Sequence, residues 1–249
     1  MSVPSLREDR YYDRTYLSVD GSLILSILPA PDGFYFAYVS PAGPGVHLDH
    51  MLINSQGFGP GFSFGAGIDL PAWKEYKFLA NVGVRYESVR HAESEPVQNE
   101  NAVNDVRGYA LTLWSAAVEF AIRRSVTESF YVQAGFASSY YLQDYFSGYR
   151  HVATISIDIP EQTSRYSYNP QRYAFTLGGG FLVPLSGQNI FAVGINAHFP
   201  LSQLYFGVTQ DDYDNSKVAQ VKLWSFDLTL SYNIPLGGSP RHTGEAPTE

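Results

Sequence analysis

Asp69, Arg85, Glu87, Glu119, Arg123 and Asp227 are the residues through which this chain could do the most chemistry, because acids and guanidiniums stand among otherwise small, uncharged neighbours. Each sits on the polar side of a segment in which apolar and polar residues alternate, and Asp20, Gln133, Asn196 and His198 hold equivalent positions. If these sides line one narrow interior, the charges must pair, since an isolated buried charge is strongly unfavourable. A paired set plugs such an interior; the alternative is a gated ion path, to be probed by mutating Arg85 and Glu119. A second candidate is His47, Asp49 and His50. On an extended segment His47 and Asp49 share a face and His50 points away, so a common metal would require a turn. Loop polarity accounts for them more simply. Asp211, Asp212 and Asp214 lack the Gly and the distal Glu of a calcium loop. His91, His151 and Ser139 have the residue types of a nucleophile and base, yet no spacing ties them together. The expectation is therefore no catalytic residue, no metal and no cofactor.

The elements that position the charged set are short alternating segments. In 222–236 the even positions from Trp224 to Ile234 are Trp, Phe, Leu, Leu, Tyr and Ile, and the odd ones are Ser, Asp, Thr, Ser and Asn. Successive strand side chains point to opposite faces, so this is a strand with one apolar and one small polar face. The same pattern appears at 16–26, 61–70, 78–87, 109–123, 130–143, 173–183 and 191–199, for eight strands in all. Between them the connections run long, short, long, short, long, short, long. An up-and-down barrel places consecutive connections at alternate rims, so all the long loops fall at one end, as in outer-membrane barrels. The wall is assigned to 15–236, with 1–14 a periplasmic lead-in and 237–249, rich in Gly, Pro and Thr, a disordered tail.

The first long loop holds an aromatic hairpin, 34–39 joined to 46–53, in which Phe34, Tyr35, Phe36, Tyr38, His47 and His50 could dock a partner. Alternatively these two segments are wall strands and the barrel has ten. Alternation alone also leaves open a soluble, lipocalin-like barrel with its apolar face inward around a ligand. The polar faces argue against that. They are built of Gly, Ser, Ala, Asn and Thr, while a watery outer surface calls for many Lys and Glu. Charged residues make up 16% of the chain, below the ~25% of soluble domains, and aromatics reach 15%. A net charge of -8 speaks against a nucleic-acid partner. There is no cysteine, so disulfides and thiolate metal sites are excluded. The start lacks the apolar core of a signal peptide, as expected of a mature form.

In this pattern the chain resembles the small outer-membrane β-barrel families of bacteria: the OmpA transmembrane domain, OmpX and the PorT-like outer-membrane barrel domains. The residues that carry the likeness are GPGFSFGAGIDLP at 59–71, AFTLGGGFLVPL at 174–185 and LTLSYNIPL at 228–236. The resemblance implies an all-β, eight-stranded antiparallel barrel in the bacterial outer membrane, inserted by the barrel-assembly machinery. Its implied partners are the lipid bilayer and, through the loops, another outer-membrane protein. The expected role is that of a non-catalytic surface protein, structural or interacting, as a subunit of a larger outer-membrane complex. A small channel or transporter for polar solutes is the alternative.

Overall fold

The computed structural model describes residues 11–29, 34–40, 47–53, 56–73, 75–96, 104–152, 155–162, 171–203, 205–209 and 218–237. Eight strands form the wall: β1 (Thr15–Leu28), β4 (Gly57–Trp73), β5 (Tyr76–Pro96), β6 (Asn104–Ser125), β7 (Phe130–Val152), β9 (Gln171–Pro184), β10 (Ile190–Pro200) and β13 (Trp224–Leu236). Each pairs antiparallel with its neighbour in that order, and β13 returns to β1 with Leu23 opposite Leu228 and Val19 opposite Tyr232. The ring leaves no free edge, which is what a strand structure needs where no water can satisfy its backbone.

The alternation read from the sequence becomes two surfaces. Outward-facing Phe64, Leu23, Ile195 and Ile122 are 68%, 67%, 63% and 55% exposed. Inward-facing Asp69, Glu87 and Asp227 are 1%, 1% and 4% exposed. A soluble barrel would carry the reverse, so the lipocalin-like alternative is overturned by the direction of the apolar face. Rings cluster at both ends of the apolar band. Trp73 stacks on Tyr76, and Phe130 packs on Phe181, near the short turns. Toward the long loops, Phe62, Tyr86 and Trp114 form one cluster and Phe199 meets Trp224 edge-on. Two aromatic girdles around an apolar belt are the outer face of a barrel in lipid.

On the long-loop side the wall stands taller than the alternation suggests. Residues 92–107 look like a polar loop, yet β5 runs to Pro96 and β6 begins at Asn104, with Pro96 opposite Asn104. Likewise β7 continues to Val152 and pairs there with β8 (Ile155–Gln162). Strand pairing continues beyond the membrane because two paired neighbours satisfy each other's backbone whatever their side chains. A register shift at Trp114/Ser115 keeps Tyr141 inside and leaves both Leu142 and Gln143 exposed, so Gln143 leaves the inner face that strict alternation gives it.

The segments that could have made ten wall strands do not join the wall. β2 (Phe34–Ser40) and β3 (His47–Ile53) form a hairpin in a separate four-stranded sheet of order β12-β11-β2-β3, with β11 (Tyr205–Thr209) and β12 (Val218–Val221) from the last long connection. They are too short to cross: seven residues span only about 23 Å even if untilted.

Candidate functional site

The inward faces of the wall strands build a lumen crossed by two polar layers. The upper layer lies toward the long loops. Arg85 on β5 donates to both oxygens of Asp227 on β13, at 2.7 and 3.0 Å, and to Ser225 Oγ at 2.8 Å. Glu87, two residues along the same face, lies 3.3 Å from Arg85 Nε and accepts from Arg172 of β9 at 2.9 and 3.2 Å. Ser26 Oγ of β1 donates to Glu87 at 3.1 Å. Arg172 also donates to the Leu223 carbonyl at 2.8 Å, and His198 Nε2 of β10 stands 3.0 Å from Asp227. Two guanidiniums face two carboxylates, so the layer is close to neutral and ties β1, β5, β9, β10 and β13 across the lumen. Charge-assisted bonds of this kind are the strong ones, and here they offset the loss of hydration. Above them the inward positions turn apolar. Val89, Leu111, Leu113 and Leu223 are essentially inaccessible.

The lower layer lies at the short-turn end. The stretch 1–14 is more than a lead-in at its inner end, because Tyr11–Asp13 forms a 3-10 turn in the barrel mouth; residues 1–10 lie outside the described set. Tyr11 is fully buried, packs on Tyr16, donates to Asp69 Oδ2 at 2.8 Å and accepts from Arg123 Nη1 at 3.0 Å. Burial pushes the Tyr11 phenol well above its ordinary pKa, with Asp69 adding to the shift and Arg123 opposing it, so it remains a neutral donor. Lys77 lies over the rings of Tyr11 and Tyr16, at 4.5 and 4.7 Å from their centroids, and bonds the Arg14 carbonyl. Arg123 stacks 4.1 Å above Tyr131 and donates to Gln133 Oε1. From Gln133 a chain of bonds passes to Asn196 at 2.8 Å, to Thr229 at 3.2 Å and, from the other side, from Ser22 at 3.0 Å.

Between the layers lies a cavity of about 100 Å³, bordered by Asp20, Glu119, Gln133, Asn196 and His198. Glu119 faces it with one buried oxygen that lacks a hydrogen-bond partner. The lumen thus receives all six charged residues of the sequence candidate. Asp69 meets Arg123, at 3.7 Å, and Arg85 joins Glu87 and Asp227. Glu119 forms no ion pair among the described residues, so the expected pairing of every lumen charge does not hold at that one position. Cavity space takes the place of a partner there.

Arg172, Lys77, Tyr11, Tyr131 and Tyr141 join the lumen without being among the residues the alternation singles out. Arg172 and Lys77 each precede an outward aromatic, Tyr173 and Phe78, so extending the alternation by one residue would have found them. Nothing in the pattern marks Tyr11. The hairpin residues Phe34, Tyr35, Phe36 and Tyr38 lie in β2, and His47 and His50 in β3, opposite Ser40 and Ala37. Ser139 faces the lumen, His91 bonds the Gln56 carbonyl at 2.9 Å, and His151 pairs along β7 with Ser156 of β8. Asp211, Asp212, Asp214 and the tail from residue 238 lie outside the described residues. Among the described residues no three acids or histidines converge as a metal-binding group.

No protein-family model matches the chain, and no curated protein matches it. Among solved structures it is similar to Neisserial surface protein A, at 10% identity and a TM-score of 0.35 over 89% of this chain and 97% of that one. The attachment invasion locus protein Ail of Yersinia pestis matches at 8% identity and a TM-score of 0.32, over 89% and 99%. The translocator domain of the autotransporter NalP from Neisseria meningitidis matches at 8% identity and 0.25, over 91% of each chain.

Proposed function

We propose that this chain is a non-catalytic outer-membrane barrel of bacteria whose work is done by its extracellular β-structure, as a surface-exposed structural or interaction protein and as a subunit of a larger outer-membrane complex. The observation that supports this reading most is the joining of the first and last long connections. β11 pairs with β2, Val208 opposite Tyr35 and Thr209 opposite Phe34, so two loops that could have been independent share one sheet. Long connections cost chain entropy to order, and connections of this length in compact domains tend to be functional. The hairpin of Phe34, Tyr35, Phe36, Tyr38, His47 and His50 belongs to that sheet, and its outer strand, β3, is the edge that a partner strand would extend. The barrel would be inserted by the assembly machinery and held by its lipid-facing belt.

A channel for small polar solutes is the second reading, favoured by the cavity beside Asp20 and Glu119. Conductance in planar bilayers separates the two. The interaction reading predicts no discrete current steps from the folded wild type, because ion-paired layers lie above and below the cavity. Regular steps would favour the channel. In parallel, replacing 34–53 with a short Gly-Ser linker should leave a folded barrel that no longer co-purifies with its outer-membrane partner. An unchanged set of co-purifying proteins would contradict the role given to the hairpin.

A further inference from the structure

Within the wall, the outward positions whose side chains are described carry no carboxylate and only two charged residues, Arg90 and Arg124, both exposed. They stand at opposite ends of the adjacent strands β5 and β6. Neither makes an ion pair with a described residue. Arg124 is opposite Tyr76, and Tyr76 is opposite Trp73, so the three form one row across the outer face. The guanidinium lies 5.4 Å from the Tyr76 ring, and Trp73 stacks on that ring at 6.3 Å and 9°. Arg90 is opposite the half-exposed Phe58, four residues beyond the Phe62, Tyr86 and Trp114 cluster.

Their separation identifies what they face. Arg90 lies fourteen residues along β5 from Tyr76, the partner of Arg124 (90 − 76). At about 3.3 Å per residue and a tilt of about 40°, this is roughly 35 Å along the membrane normal. The apolar band of such barrels is about 25 Å tall, so each arginine stands about 5 Å outside it, one at each headgroup level. A guanidinium there reaches toward the interface with its fork free for two oxygens of a phosphate. Glu75 and Glu128 are exposed in the short turns rather than on this face, and Glu87, three residues from Arg90, is buried in the lumen.

Resting on the membrane reading above, we propose that the β4–β5–β6 face is a lipid site that clamps one phosphate headgroup per leaflet, at Arg124 beside Trp73 and Tyr76 and at Arg90 beside Phe58. The occupant is a phosphate-bearing membrane lipid. Its acyl chains lie along the apolar belt, and its phosphate accepts from the arginine. Both arginines leave the lumen untouched, so their loss affects lipid retention and not the fold.

The test is native mass spectrometry of the full chain folded in detergent, titrated with phosphatidylglycerol and, separately, with diacylglycerol of the same chains. The wild type should retain phosphatidylglycerol over diacylglycerol. R90Q and R124Q should each weaken that retention about five-fold, and R124K, which keeps the charge but loses the fork, should fall between R124Q and the wild type. Heat-shifted mobility in SDS should be the same for the wild type, the three single variants and the R90Q/R124Q double variant. Equal retention of the two lipids by the wild type, or undiminished retention by the R90Q/R124Q double variant, would overturn the proposal alone. So would displacement of phosphatidylglycerol by inorganic phosphate at equal concentration. A wild type that is folded and soluble without detergent would overturn the membrane reading and this proposal together.

Discussion

Arg85 ties the upper layer of the lumen together, because it bonds Asp227 across the barrel and lies against Glu87 on its own strand. Removing it strands a buried carboxylate, so Arg85→Gln should cost about 3–5 kcal/mol, read as a lowered urea midpoint of the vesicle-inserted barrel. Arg85→Gln combined with Asp227→Asn should cost less than the sum of the singles, since neither charge is then left alone. An additive double variant would mean that the two do not act as a pair. At the other layer, Tyr11→Phe deletes the donor to Asp69 and the acceptor for Arg123, and should cost about 1–3 kcal/mol. The pH dependence has a definite sign. The folded pKa of Tyr11 lies above the unfolded value of about 10, so its contribution is complete below that value and is lost only as pH rises through the folded pKa. Between pH 7 and 9 the difference between wild type and Tyr11→Phe should therefore be constant.

Strand β4 shows how an element is fitted to the small radius of this barrel. Its inward face includes Gly57, Gly59, Gly61, Gly65 and Gly67, and a Cβ at any of these would fall within 2.7 Å of a neighbouring atom. At Gly61 that atom is the Tyr86 backbone oxygen, 2.2 Å away, which moves only if β5 moves. Gly61→Ala should lower stability by roughly 1–3 kcal/mol or prevent closure. Gly21→Ala, on β1, would meet nothing nearer than the Phe64 ring at 3.7 Å and should fold normally, with the heat shift as the readout for both. Such strands are legible in sequence because a half-buried wall imposes period two, and each alternating segment does become a wall strand. The parts that were not legible answer to other forces. Above the belt there is no lipid to impose alternation, so the tops of β5, β6 and β7 read as polar loops although their backbones pair. The bulge near Leu142 changes the phase without a Gly or Pro to announce it. Tyr11 contributes through one buried hydroxyl in a segment with no period, and Arg172 lies at the edge of its alternating run.

For the molecule as a whole, the same division of faces decides which surface meets lipid. The apolar band lies outside and the ion pairs lie inside, so the surface meets lipid and the core holds the charges. Tryptophan reports this directly, because all three, Trp73, Trp114 and Trp224, lie at outward positions in the girdles. The most direct test is quenching of their fluorescence by lipids brominated on the acyl chains, with the protein folded into vesicles and the bromines placed at a shallow and at a deep position. Strong quenching is expected, greater for the shallow bromines than the deep ones, since the rings stand at the edges of the belt. Fluorescence unchanged by brominated lipid at either depth would place the tryptophans away from the bilayer and contradict the assignment of the two faces.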